Sequence, residues 1–177
     1  IDHDNLLTTF QYAANAYGDF VGAIKSSNLA EKTVLAATGD HQMRRIKAYY
    51  PQEAIIDRAV PFYLYIPESI KQHSSISYQP LRSGSHKDIM PTVIAHSLSD
   101  TTYLALAGRN MLAKEDDPSK NFGYNELAWL QNEQVVSLQK PWIKLEWQNP
   151  DNGLLVSNSE HTLTEQQSQH IQAYVEL

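Results

Sequence analysis

Residues 33 to 41 constrain the fold of this chain more than any other stretch. Thr33 to Thr38, Thr-Val-Leu-Ala-Ala-Thr, is an almost continuous apolar run with β-branched residues, the pattern of a strand buried on both faces in a parallel sheet. Such a strand delivers whatever follows it to the carboxyl edge of its sheet, where open α/β sheets bind their ligands. Gly39, Asp40 and His41 follow here. A glycine that lets the chain turn, then a carboxylate and an imidazole side by side, offers two ligands to a divalent metal. The same tripeptide has a plainer reading, since Asp is a favoured N-cap: Asp40 caps a helix starting at His41, and the imidazole is solvated.

The chain's 177 residues are the size of one domain and can bury a substantial core. With 42% hydrophobic and 19% charged residues it reads as globular, not disordered. A net charge of −6 provides no basic face to neutralise phosphates, which excludes nucleic acid as a general partner. The absence of cysteine excludes disulfides, thiolate metal sites and cysteine nucleophiles. No run approaches the ~20 apolar residues of a membrane span, and the first residues lack the pattern of a signal peptide. The chain opens on Ile1, not Met, and the expectation is an excised piece of a larger protein whose upstream part, including any membrane anchor, lies outside it.

Leu6, Phe10, Ala13, Tyr17, Phe20, Val21 and Ile24 recur at spacings of three and four, marking one face of an amphipathic helix between Asn5 and Asn28. Gly18 and Asp19 weaken it locally, Asp19 as a solvated position. Gln42 to Tyr50 are compatible with a short helix or a loop. Pro61 to Ile66 read as a second buried strand between two prolines, and Glu68 to Ser85 as a long surface loop in which His73 is solvated. Ser85 and Asp88 stand in capping-box positions, with Ile89, Val93, Ile94 and Leu98 on the buried side of the helix they open. His86 falls at that helix start, facing either a site or water, and His96, mid-helix, reads as a surface or satisfied core residue.

Beyond Gly108-Arg109-Asn110 the texture changes. Lys114 to Lys120 is a charged loop, and strand-like segments follow at 128–130, 134–138 and 142–147. Asn149 to Gly153 is a strong turn signal, with Leu154 to Val156 completing a hairpin. Thr162 to Leu177 reads as a closing helix capped by Thr162 or Thr164, with Ile171, Tyr174 and Val175 on its apolar side. Antiparallel strands suit this C-terminal third better than βαβ units do.

Four segments, taken in order and spacing, resemble one family: Thr38-Gly39-Asp40-His41, Val60 to Pro67, Gly84-Ser85-His86-Lys87-Asp88-Ile89-Met90-Pro91-Thr92, and Gly108-Arg109-Asn110-Met111-Leu112. The family is the sulfatase-like branch of the alkaline phosphatase superfamily, and within it the lipoteichoic acid synthase type enzymes. The resemblance covers residues 5 to 112 most closely. It implies an extracytoplasmic, periplasmic or cell-surface domain of a membrane-anchored protein that transfers or hydrolyses phosphoglycerol, phosphoethanolamine or sulfate esters. It implies that Asp40 and His41 ligate a divalent metal (Mn, Mg or Zn). An acidic ligand and a threonine or serine nucleophile then come from an N-terminal half that nothing in this chain matches. Ser85-His86 matches the family's helix-start pattern, which makes His86 a catalytic candidate. The chemistry also fits the residues themselves, because a hard cation held by carboxylate and imidazole polarises a phosphoryl oxygen and activates a coordinated hydroxyl. Arg44, one turn on, is a candidate to neutralise a phosphate oxygen, with solvation as its plainer fate.

The fold expected is therefore α/β: residues 1–112 as the C-terminal portion of a sulfatase-like sheet with covering helices, then residues 113–177 as a small antiparallel subdomain with a closing helix. The function expected is a fragment of a metal-dependent phosphotransferase acting on a lipid headgroup phosphodiester through a threonine intermediate, the fragment itself being inactive without its missing half. A sulfate ester hydrolase of the same superfamily and a non-catalytic sulfatase-fold binding or regulatory domain are the alternatives.

Overall fold

The computed structural model describes residues 3–41, 59–79, 82–125, 127–131, 134–138, 142–146 and 163–176. Arg44, the segment from Gln42 to Tyr50 and the expected turn from Asn149 to Val156 lie outside the described residues. The chain is mixed α/β. It opens with a 23-residue helix, α1 (His3–Lys25), about 34 Å long at 1.5 Å per residue. The helix begins before Asn5 and runs unbroken through Gly18 and Asp19. It ends in a turn where Ser26 and Ser27 donate back to the carbonyls of Gly22 and Ile24. Its apolar stripe is only partly covered. Tyr17, Val21 and Ile24 are half-buried, with the Tyr17 ring 5.9 Å from that of Tyr63, whereas Leu7, Phe10 and Phe20 are each about half exposed.

β1 (Leu35–Thr38) pairs antiparallel with β2 (Phe62–Tyr65), in a register that sets Ala36 opposite Leu64 and Thr38 opposite Phe62. Two expectations are corrected here. β1 alternates between half-buried and exposed positions instead of being covered on both faces, and its described neighbour runs antiparallel, not parallel. The physical reason lies in the residues: Ala36 and Thr38, the exposed pair, are small enough to extend an apolar run in the sequence without needing a covering layer. β2 is also uncovered at its start, with Phe62 and Tyr63 exposed and full burial setting in only beyond the strand, at Ile66 and Pro67.

The segment expected to be an unbroken loop carries a one-turn helix, α2 (Glu68–Lys71). A 3-10 turn at His86–Asp88 then leads into α3 (Ile89–Ser97), opened by the Ser85 and Asp88 capping box. The buried side of α3 is Pro91, Thr92 and His96, while Ile89, Val93 and Ile94 are half-buried and Leu98 is exposed. The expected face was thus rotated, because Thr92 donates to the Asp88 carbonyl at 2.6 Å and accepts the Met111 amide at 2.9 Å. A polar residue satisfied in this way can take a buried position that an aliphatic neighbour gives up.

The densest packing lies at the C-terminal end. β3 (Phe122–Tyr124), β4 (Ala128–Gln131), β5 (Gln134–Ser137) and β6 (Ile143–Glu146) form an antiparallel meander in chain order. α4 (Glu165–Val175), capped by Thr164, closes over one face. Phe122, Trp129, Val136 and Ile171 are its buried core, with the Phe122 and Trp129 rings stacked at 4.4 Å and Tyr174 edge-on to Phe122 at 4.9 Å. Side chains alternate along a strand, so Gly123 faces away from this core. There it meets Gly84, whose backbone a Cβ at position 123 would strike. The missing side chain at Gly123 is what lets the 82–88 segment lie directly on the sheet.

Candidate functional site

The Asp88 carboxylate, almost fully buried, organises the centre of the molecule. Its Oδ2 accepts the Ser85 amide at 2.8 Å and the Arg109 Nη2 at 2.8 Å, and its Oδ1 accepts the Arg109 amide at 2.8 Å and Nε at 3.0 Å. The pair is bidentate, the strongest geometry open to a carboxylate and a guanidinium. Arg109 also donates to the carbonyls of Lys120 and Phe122 and lies 3.9 Å from the Phe122 ring centroid, a cation–π contact. One ion pair thereby joins the start of α3, the 108–113 segment and β3.

From this platform His86 reaches across to β1. Its Nε2 lies 2.8 Å from the Gly39 carbonyl oxygen. A carbonyl only accepts, so Nε2 carries the proton and donates. Gly39 is also the residue at which the chain leaves β1, with Val60 packed beside its Cα. Asp40 and His41 follow directly. The Asp40 Oδ1 accepts the His41 amide at 3.0 Å, which leaves Oδ2 directed toward the imidazole, 3.6 Å from His41 Nε2. Both side chains are open to solvent, at 88% for Asp40 and 49% for His41.

That spacing can be tested against a metal. Two donors each about 2.1 Å from one cation at a tetrahedral angle lie about 3.4 Å apart. The observed 3.6 Å separation of a carboxylate oxygen and an imidazole nitrogen fits a shared cation. Among the described residues no third histidine, aspartate or glutamate completes a cluster with them. The helix-cap alternative for Asp40 depends on amides 42 and 43, outside the described residues.

Asp40, His41 and His86 line one open cleft of about 1330 Å³, together with Thr38, Tyr78 and Arg82. The structure brings these three residues into one cleft. Arg44 lies outside the described residues. His73 is exposed, with Nδ1 against the Ser69 carbonyl. His96 is buried with both ring nitrogens unpartnered among the described residues. It is a core residue of α3, not a surface one, and among the described residues the Asn110 side chain stands near its ring as a polar neighbour. Burial lowers its pKa, and the nearby Asn110 side chain opposes this only in part.

Two residues of this region are given no role by the sequence. Arg109 enters there only as part of the Gly108 to Leu112 segment, and its pairing with Asp88 across 21 positions reveals what it does. Arg82 anchors the cleft wall through Nη1 bonds to the carbonyls of Met111 and Ala113 at 3.0 and 2.8 Å. Its pKa is lowered by burial first and by Arg109 next.

Comparison with protein-family models, with curated proteins and with solved structures finds no match to this chain. No helix among the described residues is long and apolar enough to cross a membrane.

Proposed function

We propose that this chain is the C-terminal part of a sulfatase-like, metal-dependent phosphotransferase domain, with residues 1–112 belonging to an alkaline-phosphatase-like sheet. The reaction proposed is phosphoglycerol- or phosphoethanolamine-type transfer from a lipid headgroup phosphodiester on the outer side of a membrane. The observation that carries this reading is the Asp40 and His41 pair. Two donors of the right chemistry stand 3.6 Å apart immediately after a strand, on the wall of an open cleft. On this reading Asp40 supplies charge and His41 a neutral nitrogen to Mn, Mg or Zn, which when bound supplies Lewis acidity toward a phosphoryl oxygen. The backbone of Gly39 and the Asp40 Oδ1 bond to the His41 amide hold the two side chains on one side of the turn. The nucleophile and the other ligands belong to an N-terminal half of the same polypeptide. The half-exposed Leu7, Phe10 and Phe20 on α1 and the exposed Phe62 and Tyr63 on β2 are apolar side chains that such a half would cover.

The test is turnover by the full-length protein of chromogenic phosphodiester and sulfate ester substrates with each metal in turn. Metal-dependent phosphodiester turnover that disappears in Asp40→Ala, with the circular dichroism spectrum unchanged, is the expected result. Preference for the sulfate ester would move the reading to a sulfate ester hydrolase. Metal-independent behaviour with no turnover would favour the non-catalytic binding domain.

A further inference from the structure

His86 stands beside the candidate metal pair, but its Nε2 is already occupied. A group that abstracts or delivers a proton in the cleft needs an available nitrogen there, and this nitrogen donates to the Gly39 carbonyl at 2.8 Å. The backbone on either side of the imidazole is unusually well fixed. Ser85 donates its amide to Asp88 at 2.8 Å, Asp88 donates its own amide to the Ser85 carbonyl at 3.0 Å, and the Asp88 carboxylate is clamped by Arg109. Arg109 is in turn held on β3 through the Phe122 carbonyl and ring. A continuous series of directed bonds therefore runs from the core of the C-terminal sheet to the carbonyl immediately before Asp40.

We infer that His86 is a positioning residue. It holds the Gly39 turn through an imidazole that donates from Nε2, and so aims Asp40 and His41 at one point using the Asp88 and Arg109 ion pair as its rigid base. The inference rests on the metal reading of Asp40 and His41 and deepens it by naming the group that orients them. Outer hydrogen bonds of this kind typically change metal affinity by 10–100-fold when removed. The bond here is solvent-exposed and reaches a ligand-bearing turn, not a ligand, so the effect belongs at the low end, about 10-fold.

The experiment uses the full-length protein and its His86→Leu and His86→Gln variants. Position 86 is exposed and its helix start is capped by Ser85 and Asp88, so neither substitution touches the core. Gln retains an N–H donor of comparable reach and Leu does not. Isothermal titration with Mn²⁺ is expected to show about 10-fold weaker binding in His86→Leu and recovery of most of it in His86→Gln. Without metal, nitrogen-15 NMR of the wild-type ring should show Nε2 protonated. Amide exchange at Asp40 and His41 should quicken in His86→Leu and slow again in His86→Gln. Wild-type affinity in His86→Leu, or a ring protonated at Nδ1 only, overturns the inference and leaves the metal reading standing. Absence of Mn²⁺ binding by the wild-type protein overturns both.

Discussion

At the scale of single residues, three side chains do different physical work. Asp88 and Arg109 show how a charge can be buried: five donor bonds, two of them from the Ser85 segment and three from Arg109, leave the carboxylate nothing to regain from water. Removing one partner strands the other, so Asp88→Asn should cost about 3–5 kcal/mol in urea unfolding. The double variant Asp88→Leu with Arg109→Met should lose much less than the sum of the single changes. A strictly additive result would mean that the pair is not coupled. His96 is the opposite case, a buried imidazole without a partner among the described residues. Burial depresses its folded pKa, so as pH falls the unfolded chain takes up a proton at this position before the folded chain does. Stability is expected to decline below about pH 6.5 and to go on declining until the depressed folded pKa is reached, with no contribution from His96 above that window. Urea midpoints at about pH 7.5 and about pH 5.5 measure this, and His96→Leu should flatten the difference. An unchanged difference would assign the acid sensitivity to other groups. Of these residues only Asp88 was legible in the sequence, as a cap. Its second role depends on a partner 21 positions away that no local pattern announces.

At the scale of elements, local chemistry was readable where the signal itself was local. The Ser85 and Asp88 box and the Thr164 cap both appear where their spacing put them, Thr164 accepting the Gln167 amide at 3.2 Å. Thr164→Ala should lower stability by about 1 kcal/mol, visible in the urea midpoint. The strands were harder. β1 was expected to be buried because its residues are apolar, but apolarity does not report what lies above a strand, and Ala36 and Thr38 face solvent. β3 went unread because Phe-Gly-Tyr is short and carries a glycine, which ordinarily weakens a strand. Here the glycine is what allows the sheet to meet Gly84. Gly123→Ala should therefore force the 82–88 segment off the sheet at a cost of about 1–3 kcal/mol. It should also quicken amide exchange at Ser85 and Asp88, whereas an unperturbed exchange pattern would show that the close approach is dispensable.

At the scale of the whole molecule, burial is graded among the described residues. The C-terminal meander and α4 enclose a stacked aromatic core, while α1, β1 and β2 present half-covered apolar faces, and the candidate metal pair lies on that less covered side. The two donors were legible in the sequence because they are adjacent and follow a strand. Their company was not, since His86 comes from 45 positions beyond His41 and its bond to the Gly39 carbonyl is a product of tertiary packing. Two side chains leave most of a cation's coordination shell to water, so the 177-residue chain alone is expected to fold but to bind metal no tighter than about micromolar and to turn over no ester. If Asp40 and His41 together hold a divalent cation, isothermal titration of Mn²⁺ into the full-length protein and its Asp40→Ala variant will show it. Saturable binding by the wild type and at least about 100-fold weaker binding by the variant, with both proteins equally folded, is the expected result. Equal affinity in the two would contradict it.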